Sequence, residues 1–226
     1  MSSVLKVLEL FSGTGSISHW AASQNATQSA VRYEVTSLDI RGVGRFNPTH
    51  MTDILQFDYR AAWQPGAFDW VHASPPCTMY SRARTTGGPR DLEGADRLVQ
   101  RGLDIIDYLQ PRLWTLENPQ GLLMHRPLMQ PLQPNMRVVD YCQYGSPWRK
   151  RTCIWTNAGG FEPLRCNPRT CASCKDGMHI VRLSNSWPKD EALAAQYRQH
   201  KASSRWSKGA LPPALLDALA SGAAGA

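Results

Sequence analysis

Short continuous apolar runs alternate along the chain with stretches in which apolar residues recur every three or four positions. Residues 4–11 (Val-Leu-Lys-Val-Leu-Glu-Leu-Phe) read as a buried strand, and similar runs recur at Tyr33–Ile40, Phe68–Ala73, Leu113–Glu117, Arg137–Tyr141 and Thr152–Thr156. Ile17 to about Ser23 reads as a short helix, and Asp91–Leu109 carries Leu98, Leu103, Ile106 and Leu109 in a helical pattern. Strands alternating with helices predict an α/β fold, its mostly parallel sheet covered by helices on both faces. After residue 158 the texture changes. Gly159-Gly160 and Pro163 lead into a turn-rich stretch up to His179, then comes a polar segment, and Leu211-Pro212-Pro213 opens a small helix through Ala220, with Ser221–Ala226 as a frayed tail. The expected units are therefore 1–158, 159–204 and 205–226.

Composition narrows the classes. The 226 residues suit one α/β domain with a small appendage, and 42% hydrophobic against 19% charged residues excludes a disordered chain. The net charge of +7 favours a polyanionic partner, nucleic acid first, although a basic surface also serves solubility. No run reaches the ~18 apolar residues of a membrane span, and Met1–Leu10 enters a strand with no signal-peptide layout. The expectation is a cytoplasmic, monomeric protein with no membrane partner, whose six cysteines are reduced and serve catalysis, metal binding or the core.

Three places carry candidate chemistry. Phe11-Ser12-Gly13-Thr14-Gly15-Ser16 lies between the first strand and the first helix, where glycines let the backbone turn tightly and pass close to a ligand. Asp39 ends the second strand, a little over ~20 residues on, where a carboxylate binds ribose hydroxyls. Asp53 suits an adenine amino group, with Ile54 packing on the ring. Each acid alone is an ordinary cap or surface charge; together with the loop they point to an adenosine-bearing cofactor, and no Walker loop suggests ATP. Second, Ser74-Pro75-Pro76-Cys77 comes after a strand end, where open α/β sheets build their sites. The prolines fix the backbone and present a thiol. Amino-group methyltransferases place an aromatic residue there to stack on a base. A thiolate instead suits carbon 5 of cytosine, a weak nucleophile that needs covalent activation at carbon 6. Third, Glu117, ending its strand before Asn118-Pro119, either protonates a ring nitrogen or caps the next helix.

The ordered set resembles the DNA cytosine-5 methyltransferase family. Leu10–Ser16 resembles its cofactor loop, Asp39 and Asp53-Ile54 the next two cofactor positions, Pro75-Pro76-Cys77 its catalytic motif and Glu117-Asn118 its Glu-Asn pair. Tyr144–Arg151 resembles the arginine motif, and Gly209–Leu215 the last motif, which closes the cofactor pocket. The resemblance spans roughly 4–157 and 205–220. It departs at Ser74 (usually Gly), Pro119 (usually Val), Trp148 (usually Gln) and after Gly209, where the usual Asn is missing. It implies a Rossmann-like S-adenosylmethionine-dependent methyltransferase fold that methylates carbon 5 of cytosine in DNA. Cys77 is then the nucleophile, Glu117 the partner of ring N3, and either Arg149 or Arg151 meets the cytosine O2. The implied cofactor contacts are Phe11, Ser12, Gly13, Thr14, Gly15, Ser16, Asp39, Ile40, Asp53, Ile54, Ser74, Pro76, Leu98 and Ala210. The loop Thr78–Arg90 closes over a flipped base, with Arg82, Arg84 and Arg90 available for phosphates or simply solvated.

Cys166, Cys171, Cys174 and His179 place four soft ligands within fourteen residues of a stretch with little to make a core. That spacing points to structural zinc; Cys142 and Cys153, in strand-like runs, read as core. The 159–204 interval corresponds to the family's target-recognition region. It is short, so brief or relaxed sequence specificity is expected, read partly by Arg165, Arg169, Lys175 and Arg182. A solitary enzyme of this size suits phage, viral or bacterial modification, with protection from restriction as its role. Rival readings are an amino methyltransferase, a non-catalytic DNA-binding module on the same fold, and an RNA or free-nucleotide substrate.

Overall fold

A computed structural model describes residues 3–27, 30–180, 191 and 209–224. Five parallel strands form most of one seven-stranded sheet: β1 (Ser3–Leu10), β2 (Val31–Asp39), β3 (His50–Met51), β4 (Trp70–Ala73) and β5 (Leu113–Pro119). With β6 (Met136–Asp140) and β7 (Arg151–Thr156) the spatial order is β3-β2-β1-β4-β5-β7-β6. Strand β7 runs antiparallel to both its neighbours. Each strand expected from the apolar runs is found, with ends moved by one or two residues; β3 is added, too short to leave a period.

Both faces are covered. Along β1 the pleat sends Leu8 and Leu10 to one face and Val7 to the other. The first face packs against α3 (Leu92–Leu109). Its buried residues are Ala95, Val99, Gly102, Ile105, Ile106 and Leu109; Leu98 and Leu103 are only half-buried beside them. Asp91 caps this helix by accepting from Gly94 N at 2.7 Å, and Gln110 ends it in the left-handed conformation at φ 48°. The second face packs against α1 (Ser16–Asn25) and α4 (Pro213–Ala224). Trp20 Nε1 donates to Asp217 Oδ1 at 2.8 Å, joining the returning C-terminal helix to the first one. Helix α4 runs past Ala220, where the sequence suggested an end.

A one-turn helix α2 (Tyr59–Ala62) precedes β4, and 3-10 turns at Leu123–His125, Pro127–Asn135 and Tyr141–Tyr144 carry the chain around β6. Pro131 and Pro134 remove donors from the middle segment, which leaves it 3-10. Beyond β7 the only regular structure up to residue 180 is a hairpin of β8 (Cys174–Lys175) and β9 (Met178–His179). Asp176 and Gly177 both have positive φ (53° and 75°), as a two-residue type I′ turn requires. Arg182 and residues 192–208 lie outside the described residues. No helix among the described residues is long and apolar enough to cross a membrane.

Candidate active site

The glycine loop is built for close approach. Gly13 and Gly15 have φ of 52° and 71°, and a Cβ on Gly15 would stand 2.4 Å from the Phe46 ring. Phe11 is itself left-handed at 57°; its carbonyl accepts from Ser74 Oγ at 3.0 Å. Ser74, where the resemblance leads one to expect glycine, thus ties the Pro-Pro-Cys segment to the glycine loop; its N–H also donates to Leu10 O. Asp39 Oδ2 accepts from Gly13 N at 2.8 Å, and Ser16 Oγ accepts from Leu211 N at 3.2 Å, which brings Ala210 to the same loop. Ser12 Oγ is buried with no hydrogen-bond partner among the described residues, and Ile40, just past Asp39, is 62% exposed. Asp53 accepts from Leu55 N while Ile54 is buried; Leu98 is half-buried on α3 and Pro76 exposed.

Beneath the loop, Glu9 is almost fully buried. It accepts from Ile17 N, Ser18 N and Ser18 Oγ at the start of α1. Burial outweighs these donors and pushes its carboxyl up to about 7.

Asn118 stitches the other side of the Pro-Pro-Cys segment, its Nδ2 donating to Pro75 O at 2.9 Å. Tyr80, fully buried, turns the chain back through Tyr80 N to Cys77 O, and its hydroxyl donates to Asp96. The half-buried Cys77 thiol therefore stands on a segment fixed at both ends. Burial pushes this thiol up, the Glu117 carboxylate pushes the same way, and the Lys150 ammonium pulls it back.

Glu117, 5% exposed, receives Tyr141 Oη at 2.9 Å and Lys150 Nζ at 3.2 Å, both on Oε1. Oε2 has no protein donor among the described residues. Burial raises the Tyr141 hydroxyl well above its usual range and the Glu117 charge adds to this, so it stays a phenol and donates. Lys150 Nζ also lies 4.7 Å from the centre of the Tyr141 ring.

The arginine motif divides by the alternation of an extended chain. Arg149 and Arg151 send Nε to Asp140 Oδ1 at 3.0 and 3.2 Å, while Lys150 between them turns to Glu117. Asp140, with no exposed surface, also receives Arg165 Nε at 3.3 Å and Cys166 N at 3.0 Å on Oδ2. The structure thus brings Cys77 and Glu117 together and holds both candidate arginines against Asp140. Sequence reasoning missed Lys150 and Tyr141 because it looked for a guanidinium; the alternation around Arg149 and Arg151 was the available signal. In the loop after Cys77, Arg90 is occupied by the carbonyls of Met79, Ser81 and Arg84, and Arg84 bonds Gly88 O; Arg82 is exposed.

The Cys/His group gathers as the spacing suggested and gains a member. Cys166 Sγ and Cys171 Sγ lie 3.5 and 3.7 Å from His179 Nε2, and Cys174 Sγ lies 3.4 Å from Nδ1 and 3.6 Å from Nε2. Cys142, expected in the core, is indeed buried, but it joins Cys166, Cys171 and His179 in a group whose ligand atoms all lie within 4.8 Å of one another. Arg169 and Lys175 are exposed on the same module, and Arg165 is half-exposed although tied to Asp140.

Known proteins resemble this chain in sequence. A family model described as C-5 cytosine-specific DNA methylase matches residues 5–144, more than half of the chain. A Frog virus 3 (isolate Goorha) protein named "Probable DNA (cytosine-5)-methyltransferase" is 34% identical over 227 residues, covering 94% of this chain and 97% of the relative. Among solved structures, a prophage-encoded DNA modification methyltransferase of E. coli aligns with a TM-score of 0.47 at 16% identity, over 72% of this chain and 52% of that one, so the chain spans about half its length. The chain therefore belongs to the C-5 cytosine-specific DNA methylase family and is a DNA (cytosine-5)-methyltransferase by that membership.

Proposed function

We propose that the chain methylates carbon 5 of cytosine in DNA through a covalent bond between Cys77 Sγ and carbon 6 of an extruded base. The observation that carries this reading is the joint placement of Cys77 and Glu117, with Glu117 Oε2 left open while Oε1 is occupied by Tyr141 and Lys150. Extrusion is required because carbon 6 is out of reach inside the stack. As Cys77 Sγ bonds to carbon 6, the thiol proton is taken up by the open oxygen of the Glu117 carboxylate and delivered to N3, so that charge does not build on the ring. Lys150 holds Oε1, keeps the carboxyl aimed, and lowers the cost of a thiolate at Cys77. After methyl transfer, solvent water takes the proton from carbon 5, the double bond re-forms as the bond between carbon 6 and Cys77 breaks, and the N3 proton returns by way of Glu117 to the departing thiolate. Because burial and Glu117 both hold the thiol protonated in the resting protein, attack waits for the base to arrive.

The loop residues fit S-adenosylmethionine. The orphaned buried Ser12 Oγ, the Asp39 carboxylate with spare lone pairs, and the exposed Ile40 face suit the polar and apolar parts of an adenosyl group. When bound, the cofactor supplies an electrophilic methyl group; the chain's own residues hold it through the glycine loop, Asp39, Ile40 and Asp53. The small module beyond β7 reads the target with few side chains, Arg169 and Lys175 among them, which gives short or relaxed specificity.

The test is nucleoside analysis of DNA incubated with the protein and S-adenosylmethionine. 5-Methylcytosine is expected, at sites sharing only a few fixed bases. N4-methylcytosine, N6-methyladenine or DNA binding without any modification would overturn the reading.

A further inference from the structure

From the segment beyond β7 we infer that Cys142, Cys166, Cys171 and His179 bind one tetrahedral zinc ion, and that this ion fastens the Cys/His module to the catalytic sheet. Among residues 162–180 only Cys171 is buried, while Leu164 and Met178 are 48% and 59% exposed. A stretch with two two-residue strands and no apolar core needs a cross-link to keep one shape. None of its cysteines is in a disulfide. Zinc bonds of ~2.3 Å to sulfur and ~2.0 Å to nitrogen put tetrahedral ligand atoms about 3.5–3.8 Å apart. The approaches of Cys166 and Cys171 to His179 Nε2, 3.5 and 3.7 Å, lie in that range.

The fourth ligand decides what the ion does. Spacing along the chain favours Cys174, and its sulfur is 3.6 Å from Nε2. Three observations favour Cys142. Cys174 comes closest to the other ring nitrogen, Nδ1, whereas Cys166 and Cys171 address Nε2. The Gln143 amide donates to Cys142 Sγ at 3.7 Å and Cys171 Sγ at 3.4 Å together, as an outer donor to two metal thiolates does. And the Arg149 guanidinium is within electrostatic reach of Cys142 and Cys166, which balances the one negative charge that three thiolates leave around a divalent ion. Cys142 sits on the 3-10 turn after β6, between Tyr141, which holds Glu117, and Gln143. A metal bond there pins the module to the backbone that supports the catalytic carboxylate, whereas Cys174 would close the ion within the module alone. Cys174 remains beside the site as an unligated thiol.

The test uses the full chain and does not depend on its activity. Metal content is measured on the wild type, Cys142→Ser and Cys174→Ser after zinc loading and dialysis, with Co²⁺ substitution to count thiolates. One zinc per chain is expected in the wild type and in Cys174→Ser, both with a three-thiolate cobalt spectrum, and zinc affinity at least ~100-fold weaker in Cys142→Ser. Alkylation mapping of the wild type covers the case in which Cys142→Ser fails to fold. A chelator should expose Cys142, Cys166 and Cys171, while Cys174 reacts with or without it. Retention of zinc by Cys142→Ser with loss in Cys174→Ser, chelator-dependent protection of Cys174 and not Cys142, or no metal in the loaded wild type would each overturn the assignment.

Discussion

Two buried carboxylates stand near the same end of the sheet, and they differ in how fully they are satisfied. Asp140 has no exposed surface and four donors: Arg149, Arg151, Arg165 and the Cys166 amide. Glu117 has two donors, both on Oε1. The saturated carboxylate has nothing left for a substrate and organises the chain around it, joining β6 and β7 to the Cys/His module. The half-satisfied one leaves Oε2 without a protein donor among the described residues, and this is the oxygen that the proposed mechanism uses. Burial of a charge is costly wherever it is not fully paired, and such open valences cluster at functional sites.

Substitutions separate the two roles. Glu117→Gln should lower methyl transfer by ~10²–10⁴-fold in the folded protein, since the proton carrier to N3 is lost, and should also cost about 2–3 kcal/mol of stability, because the buried Lys150 loses its charged partner. Asp140→Asn should cost a similar amount, about 2–3 kcal/mol in denaturant titration, because its donors lose a charged acceptor, yet leave measurable turnover in the protein that remains folded. Comparable loss of activity in both variants at equal stability would erase the distinction.

Within the arginine motif the contrast becomes finer. Lys150→Met should reduce turnover by ~10–100-fold and Lys150→Arg should restore much of it, whereas Arg149→Ala, a partly exposed ion pair, should cost less than ~1 kcal/mol of stability. The smallest effect is a titration. In the resting protein Cys77 is held protonated first by burial and then by Glu117, so its alkylation by iodoacetamide should rise with pH above the range of a free thiol. Removing the Glu117 charge should move that profile to lower pH, and removing Lys150 should move it to higher pH. No movement in either variant would mean that neither charge reaches the thiol.

Much of this architecture is legible in the amino-acid sequence. Apolar runs located all the long strands, because a strand buried on both faces leaves a continuous signature; the two-residue β3 leaves none. Pro75-Pro76-Cys77 and Glu117-Asn118 were legible as candidates because they lie at the carboxyl ends of the adjacent strands β4 and β5. What the sequence hid was side-chain partnership across the sheet. The resemblance offered either Arg149 or Arg151 to the base; both send Nε to Asp140, and Lys150 between them faces Glu117. Cys142 read as a core residue because it lies in an apolar run, while the residues it meets are more than twenty positions away. Ser74 read as a departure from pattern, and its hydroxyl proves to be the tie between two motifs.

Covalent trapping decides whether Cys77 attacks carbon 6 beside Glu117. DNA containing 5-fluorocytosine is incubated with the protein and S-adenosylmethionine, and a covalent adduct is sought on a denaturing gel, since fluorine at carbon 5 blocks the final elimination. The wild type and Asp140→Asn should each yield an adduct that depends on the cofactor, and Cys77→Ala should yield none. An adduct that persists in Cys77→Ala, or no adduct from a wild type that binds the DNA, would mean that Cys77 is not the nucleophile.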